Sequence, residues 1–420
     1  MRSTGIPSLA ARFFSRRRSP RLPSPAGRVC CFVMRDEMTL SPEETARYSR
    51  HILLPEIDVR GQEQLKAARA LVIGAGGLGS PVALYLAAAG VGTIGLADFD
   101  RVELHNLQRQ ILHGSSDIGR PKTASGTARL RDINPHVTVI EHTEGVHARN
   151  AVALFSDYDL IIDGSDNFPT RYLNTDAAYL AKRPLVYGSI FKFEGQVTVF
   201  DPHGGGPCYR CLFPEPPPPG SVPNCGEAGV LGALCGVIGS LQAMEAIKRL
   251  AGITTGLVGR LLVLDALTME FRSLKLRKDP ECPLCNAHPQ ITSIDPERYE
   301  VGCAPAPAAA ESAEERFPLE VDVRDAQSRA QAGALIVDVR EPFELNICQV
   351  AGARHIPMRQ IPERVAELAH DQGVLVLCHT GARSLRVTEY LRAQGLEHVS
   401  NIRGGVDAWA REIDPSMTRY

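Results

Sequence analysis

Cys378 ends the apolar run VLVLC, and Gly381, Arg383 and Ser384 follow it in the order C-x-x-G-x-R-S. A strand-terminal cysteine, a glycine-containing loop, an arginine and then a helix make a setting for a nucleophile. Loop amides, the positive end of the helix and Arg383 would each favour the thiolate, so an exposed, reactive thiol is expected at Cys378. Towards the other end of the chain, Gly74, Gly76, Gly77 and Gly79 form G-x-G-G-x-G directly after the apolar run ALVI. Glycines let the backbone approach phosphate closely, and the helix that follows supplies N–H groups and a positive dipole. Asp98 lies about twenty residues further on, where a carboxylate binds ribose hydroxyls. That much suits a nicotinamide-dependent oxidoreductase equally well.

The next residues separate the two readings. Asn106, Arg109 and Gln110 lie in ADFDRVELHNLQRQILH, Lys122 in GRPK, and Asp166 and Asn167 in GSDN. Hydride transfer needs an apolar nicotinamide pocket, whereas this set of cations and carboxylate suits the triphosphate of ATP with Mg2+. Two further pairs, Cys208–Tyr–Arg–Cys211 and Cys282–Pro–Leu–Cys285, have the spacing that wraps a tetrahedral ion. Four thiolates close the shell, so a structural zinc is expected. Cys225, in VPNCGEAGVLG, is a candidate reactive thiol, and Cys235, in an uncharged run, is expected to pack in the core. The spacing at Cys378 also discriminates. Tyrosine phosphatases place five residues between cysteine and arginine to enclose a phosphate; Cys378 and Arg383 enclose four, a smaller ring suited to a persulfide.

These groups need two α/β frames to position them. The reading predicts strand, turn, helix and strand over ARALVIGAGGLG, SPVALYLAAAG and GTIGLADFD, with later strands in YDLIIDGSDN and GQVTVFD. It predicts a helix over GSLQAMEAIKRLAG and another opened by Ser41 and Glu44 as a capping box. Residues 71–97 lack any charge but hold seven glycines and a proline, which favours a buried βαβ unit over a membrane span. PEPPPPGSVPN reads as an extended proline-rich loop, and CAPAPAAAESAEER as a linker. ALIVDVRE, VLVLC, SLRVTEYLRAQG and VSNIRGGVDAW then form a small α/β unit. The domains expected are 38–290 and 318–420, joined by a linker over 291–317. Residues 1–37 form a basic extension: the first 33 carry seven arginines and no acid, consistent with a transit peptide, a disordered extension, or a true start at Met34 or Met38. The formal net charge of −2 gives no electrostatic case for nucleic acid or an anionic membrane. Eleven cysteines, four of them in C-x-x-C pairs, point to metal ligation and thiol chemistry in a reducing compartment, and so to the cytoplasm.

Taken in order, RYSRHI, GAGGLGSP, ADFDRVELHNLQRQILH, GRPK, GSDN, CYRC, NCGEAGVLG, GSLQAMEAIK and CPLC resemble the MoeB/ThiF family of ubiquitin-activating-like adenylyltransferases. The resemblance implies a Rossmann-like ATP-binding domain that works as a homodimer. It would adenylate the C-terminal glycine of a ubiquitin-like sulfur-carrier protein ending in Gly-Gly. It also implies roles: Asp98 on ribose; Asn106, Arg109 and Lys122 on phosphates; Asp166 on magnesium; and Arg50 reaching the other subunit's triphosphate. Cys225 would sit on a loop over the adenylate and form a thioester or a resolving disulfide. The later unit, through DVREPFE, C-x-x-G-x-R-S and GGVDAW, resembles a rhodanese, departing from it at Gln349, where the family often has histidine. The implied product is a carrier thiocarboxylate, made with sulfur from a donor such as a cysteine desulfurase. Molybdopterin, thiamine, cysteine and tRNA-thiolation pathways all use such carriers. The rival reading from another class is an adenylating enzyme whose rhodanese unit only docks partners.

Overall fold

The computed structural model describes residues 40–217, 229–299, 317–368 and 372–420. Cys225, the basic extension, residues 300–316 of the linker and most of the proline-rich loop lie outside them.

The first sheet is built from β1 (Arg69–Ile73), β2 (Thr93–Ala97), β3 (Thr138–His142), β4 (Leu160–Asp163), β5 (Leu185–Phe191), β6 (Glu194–Phe200), β7 (Arg260–Asp265) and β8 (Glu270–Lys275). Their order is β3-β2-β1-β4-β5-β6-β7-β8, parallel up to β5 and antiparallel beyond it. Successive residues of β1 and β4 enter opposite cores. Ala70, Val72, Leu160 and Ile162 pack on one face; Leu71, Ile73 and Ile161 pack on the other. Strands covered on both faces read as unbroken apolar runs, which is why this stretch imitates a membrane span in hydropathy. Among the described residues no helix is long and apolar enough to cross a membrane.

Two helices differ from the sequence reading. The one expected to start at Gly239 begins at Gly232 and runs to Leu250. Its first turns, GALCGVI, are apolar all round and so carry no helical period. They are helical because they are packed against Gly79–Ala89, β5 and β6. The capping box at Ser41 is present, with Ser41 Oγ accepting the Glu44 N–H and Glu44 Oε2 accepting the Ser41 N–H. That helix stops at Arg47, and a separate turn, Ser49–Ile52, follows Tyr48.

The second sheet is wholly parallel, ordered β11-β10-β12-β13-β9, from β9 (Glu320–Val321), β10 (Leu335–Asp338), β11 (Arg354–His355), β12 (Val374–Leu377) and β13 (Val399–Ile402). Helices Val323–Gln331, Ala382–Ala393 and Gly405–Glu412 accompany it. Trp409, the only tryptophan in the chain, is buried in its core.

Candidate active sites

At the carboxyl ends of β1, β2 and β4 the strand order reverses, and a crevice opens there as expected of doubly wound sheets. Gly74, Gly76 and Gly77 line it, together with Asp98, Arg109, Gln110, Lys122, Asp166 and Asn167. Asp98 braces the glycine loop from β2: its Oδ2 accepts the Ala75 N–H at 2.8 Å and its Oδ1 the Asp100 N–H at 2.8 Å. Lys122 Nζ lies buried, 2.8 Å from Asp100 Oδ2 and 4.0 Å from Asp98 Oδ2. A cation held by an exposed carboxylate at the pocket wall is available to an incoming phosphate.

Two residues expected at the nucleotide, Asn106 and Gly79, do not line the crevice, and neither does Arg50, which was expected at the other subunit's triphosphate. Asn106 is buried beside it; its Oδ1 accepts the Glu103 N–H, and its carbonyl accepts the N–H groups of Arg109 and Gln110. It shapes the turn from which those two side chains project. Gly79 serves chain packing: a Cβ there would fall 1.7 Å from the Gly74 carbonyl oxygen. Arg50 is exposed on the turn Ser49–Ile52 and also lies away from the lining. Cys235, expected in the core, is fully buried but does line the crevice, directly behind Gly77.

The structure adds residues that the sequence reading missed. Arg171 lines the pocket, donates to the Ser165 carbonyl at 3.3 Å, and lies over the rings of Phe168 and Tyr187. Its one signal was its place one turn after Asn167, whose Oδ1 caps that helix through the Thr170 N–H. Beneath the loop, Asp163 accepts the Ser165 N–H and the Asn174 side-chain amide, and burial pushes its carboxyl up. His113 supports the loop from below. Its Nε2 lies 3.0 Å from the Ala75 carbonyl, an acceptor only, so this nitrogen carries the proton; Nδ1 faces Ser125 Oγ at 2.9 Å. Burial holds this imidazole below its usual range, and it stays neutral.

The four paired cysteines converge. Sγ atoms lie 3.7 Å apart for Cys208–Cys211 and 3.5 Å apart for both Cys208–Cys282 and Cys211–Cys285, with all four inside 4.8 Å of one another. A tetrahedron with zinc–sulfur bonds of about 2.3 Å has sulfur–sulfur edges of about 3.8 Å, so the set fits zinc. Arg210, inside the first pair, grips Asp176 at 2.8 and 2.7 Å, and Tyr299 donates to the same carboxylate at 2.6 Å. The centre therefore locks the segment after β6 and the segment after β8 onto the helix Phe168–Leu180. One zinc per chain is expected by elemental analysis. Cys282→Ser should lose it and lower the melting temperature by on the order of 10 °C, since metal affinity is folding energy here.

In the second domain, Cys378 follows β12, and its Sγ accepts the Gly381 N–H at 3.1 Å and the Ser384 hydroxyl at 3.2 Å. The thiol is not exposed as expected: Cys378 shows 1% of its surface. The helix Gly405–Glu412 packs onto the loop, with Val406 and Asp407 donating their N–H groups to the carbonyls of Cys378 and His379. Arg383 also departs from expectation. Its two terminal nitrogens bind Glu344 in a fork, both at 2.7 Å, and neither donates to the sulfur. A carboxylate is the better partner for a guanidinium than a thiol. Burial opposes the Arg383 charge, but Glu344 outweighs it and holds the guanidinium above its usual range. Burial likewise pushes the Glu344 carboxyl up, and Arg383 with the Glu341 N–H outweighs it, holding Glu344 below the usual range.

Comparison with known proteins matches these two sites to two families. The ThiF family model matches residues 48–284, and the rhodanese-like domain model matches residues 322–412. The chain is 47% identical over 387 residues to the probable adenylyltransferase/sulfurtransferase MoeZ of Mycobacterium tuberculosis, covering 91% of this chain and 96% of that protein. It is 40% identical over 414 residues to the adenylyltransferase and sulfurtransferase MOCS3 of Drosophila sechellia, covering 95% and 88%. Among solved structures, Escherichia coli MccB, crystallised with MccA-N7isoASN, aligns at a TM-score of 0.51 and 22% identity over 57% of this chain and 74% of that one, a likeness of fold alone. The chain belongs to the ThiF family and carries a rhodanese-like domain behind its ThiF domain, joining an adenylyltransferase to a sulfurtransferase in one polypeptide.

Proposed function

We propose that the substrate is a ubiquitin-like sulfur-carrier protein ending in Gly-Gly, and that the two domains convert its terminal carboxylate to a thiocarboxylate. The observation that carries this reading is one chain holding both a phosphate-suited crevice and a cysteine loop aimed at by an N–H and a hydroxyl. In the first step a carrier carboxylate oxygen attacks the α-phosphorus of ATP; the bond to the bridging oxygen breaks and pyrophosphate leaves. Little covalent help is needed, so position and charge neutralisation do the work. Asp98 binds ribose, while Arg109 and Lys122 hold phosphate oxygens. Lys122 exchanges Asp100 for its phosphate. Asp166, exposed at the mouth, would hold Mg2+, which neutralises phosphate charge when bound. Arg50 reaches the crevice of the partner subunit in a homodimer.

In the second step a persulfide on Cys378 attacks the acyl adenylate, and AMP leaves with the bonding pair. The carrier is then joined to Cys378 through an acyl disulfide. A Cys225 thiolate attacking Cys378 Sγ would release the thiocarboxylate and leave a Cys225–Cys378 disulfide, which a thiol reductant reopens. A cysteine desulfurase is the fitting sulfur donor, and the reducing cytoplasm the fitting compartment. Keeping both domains in one chain raises the effective concentration of persulfide at the adenylate to about the millimolar range. The test incubates the protein with ATP, a desulfurase with cysteine, and each candidate carrier in turn, then weighs the carrier. One carrier should gain the mass of a single oxygen-to-sulfur exchange. Adenylated carrier without sulfur in every case would leave the rear domain a docking module.

A further inference from the structure

The residues after the helix Gly405–Glu412 form a strap over the Cys378 loop. Asp414 donates its N–H to the Trp409 carbonyl, and Met417 donates its own to Asp414. Met417 and Tyr420 pack against the core of the second domain. The ring of Tyr420 lies flat on His379, the residue after Cys378, with centroids 4.1 Å apart and planes 7° from parallel. Its hydroxyl donates to Glu344 Oε1 at 3.0 Å and accepts from Arg340 Nη1 at 2.8 Å. Glu344 is the carboxylate that holds Arg383. One side chain thus touches both the neighbour of the nucleophile and the counter-ion of the loop's arginine, and the nucleophile itself is almost fully buried.

We propose that Tyr420 is a specificity-determining cover of the sulfur site, closing Cys378 to small anionic sulfur donors and leaving it to a protein-bound persulfide whose surface displaces the strap. The inference rests on Cys378 being the sulfur-carrying residue. The fastening suits a cover that opens. Apart from the tyrosine and the backbone bonds at its start, it is held by packing of Ile413 and Met417 and by an ion pair between Arg419 and Asp407, 2.8 Å long with side chains 50% and 24% exposed. Such pairs are weak and screened by salt. A segment held this way can open locally while the sheet behind it stays folded. A small dianion such as thiosulfate meets two obstacles: the stacked ring, and an arginine already neutralised in a fork. A protein donor brings contact area that offsets the displaced strap.

The experiment uses the full chain, iodoacetamide alkylation mapped by mass spectrometry, and thiosulfate-to-cyanide sulfur transfer. Tyr420→Ala should alkylate Cys378 about tenfold faster and lower the KM for thiosulfate, while Cys348, buried in the same domain, stays slow. Tyr420→Phe, which keeps the stack and loses both hydroxyl bonds, should remain within about threefold of the parent. Parent-like alkylation of Tyr420→Ala overturns the proposal. So does equal acceleration at Cys378 and Cys348, which marks a loosened domain, or a lowered kcat at unchanged KM, which marks a structural role. Thiosulfate activity surviving in Cys378→Ala would remove the sulfur-carrying reading instead, and the alkylation result is independent of it.

Discussion

Replacing Cys378 by alanine is expected to lower both thiosulfate sulfurtransfer and carrier thiocarboxylation by about 10³-fold or more, the scale of losing a covalent nucleophile. Carrier-dependent ATP–pyrophosphate exchange should stay within a factor of about two, because attack of a carboxylate on the α-phosphorus uses no thiol. The expectation follows from where the sulfur sits. Cys378 Sγ takes an N–H from the loop and a hydroxyl from the first turn of the helix Ala382–Ala393, which fixes the sulfur at the head of that helix. Cys348, the other free thiol of this domain, is instead held against Arg340, whose Nη1 lies 3.7 Å from its Sγ. It lies off the Cys378 loop and should not substitute. Thiocarboxylate formed at the parent rate by Cys378→Ala would assign the donor role elsewhere.

Lys122→Ala and Asp166→Ala are each expected to lower pyrophosphate exchange by about 10²-fold or more, as removal of a charge contact to the transition state does. The two variants should differ in kind. Asp166 is exposed at the crevice mouth, and its loss should raise the Mg2+ concentration needed for half-maximal exchange. Lys122 is buried and salt-bridged to Asp100, so its loss should act on turnover at saturating Mg2+. Neither substitution touches the second domain's loop, so thiosulfate sulfurtransfer should be unaffected by both. Undiminished exchange in both variants would show that phosphates bind elsewhere.

The structure explains why some residues were readable and others were not. The glycine turn, Asp98 and the C-x-x-G-x-R-S loop are local, each placed by one strand end and the turn after it, and each C-x-x-C pair lies within one short turn. Residue type and short spacing therefore carry the chemistry, and β1, β2 and β12 end where the apolar runs end. The capping box at Ser41 was legible for the same reason, since both its hydrogen bonds span three residues.

Tertiary structure decided what depends on strand order and burial. The two cysteine pairs, 74 residues apart, meet because β6, β7 and β8 run antiparallel at one edge of the sheet. Glu344 takes Arg383 from 39 residues away because β10 and β12 are parallel neighbours, which brings the segments after them to the same edge. Neither His113 under the glycine loop nor Arg171 in the crevice belongs to a local motif; each arrives from another element and is selected by its buried hydrogen bonds. Asn106 lay next to Arg109 in the sequence, yet its side chain caps a turn while Arg109 faces the crevice. The residue types and their order were enough to propose the reactive groups of this protein. Which of them line the crevice, and that Cys378 is buried and not exposed, was decided by packing, because burial and long-range partners are properties of the assembled layers and not of any stretch of chain.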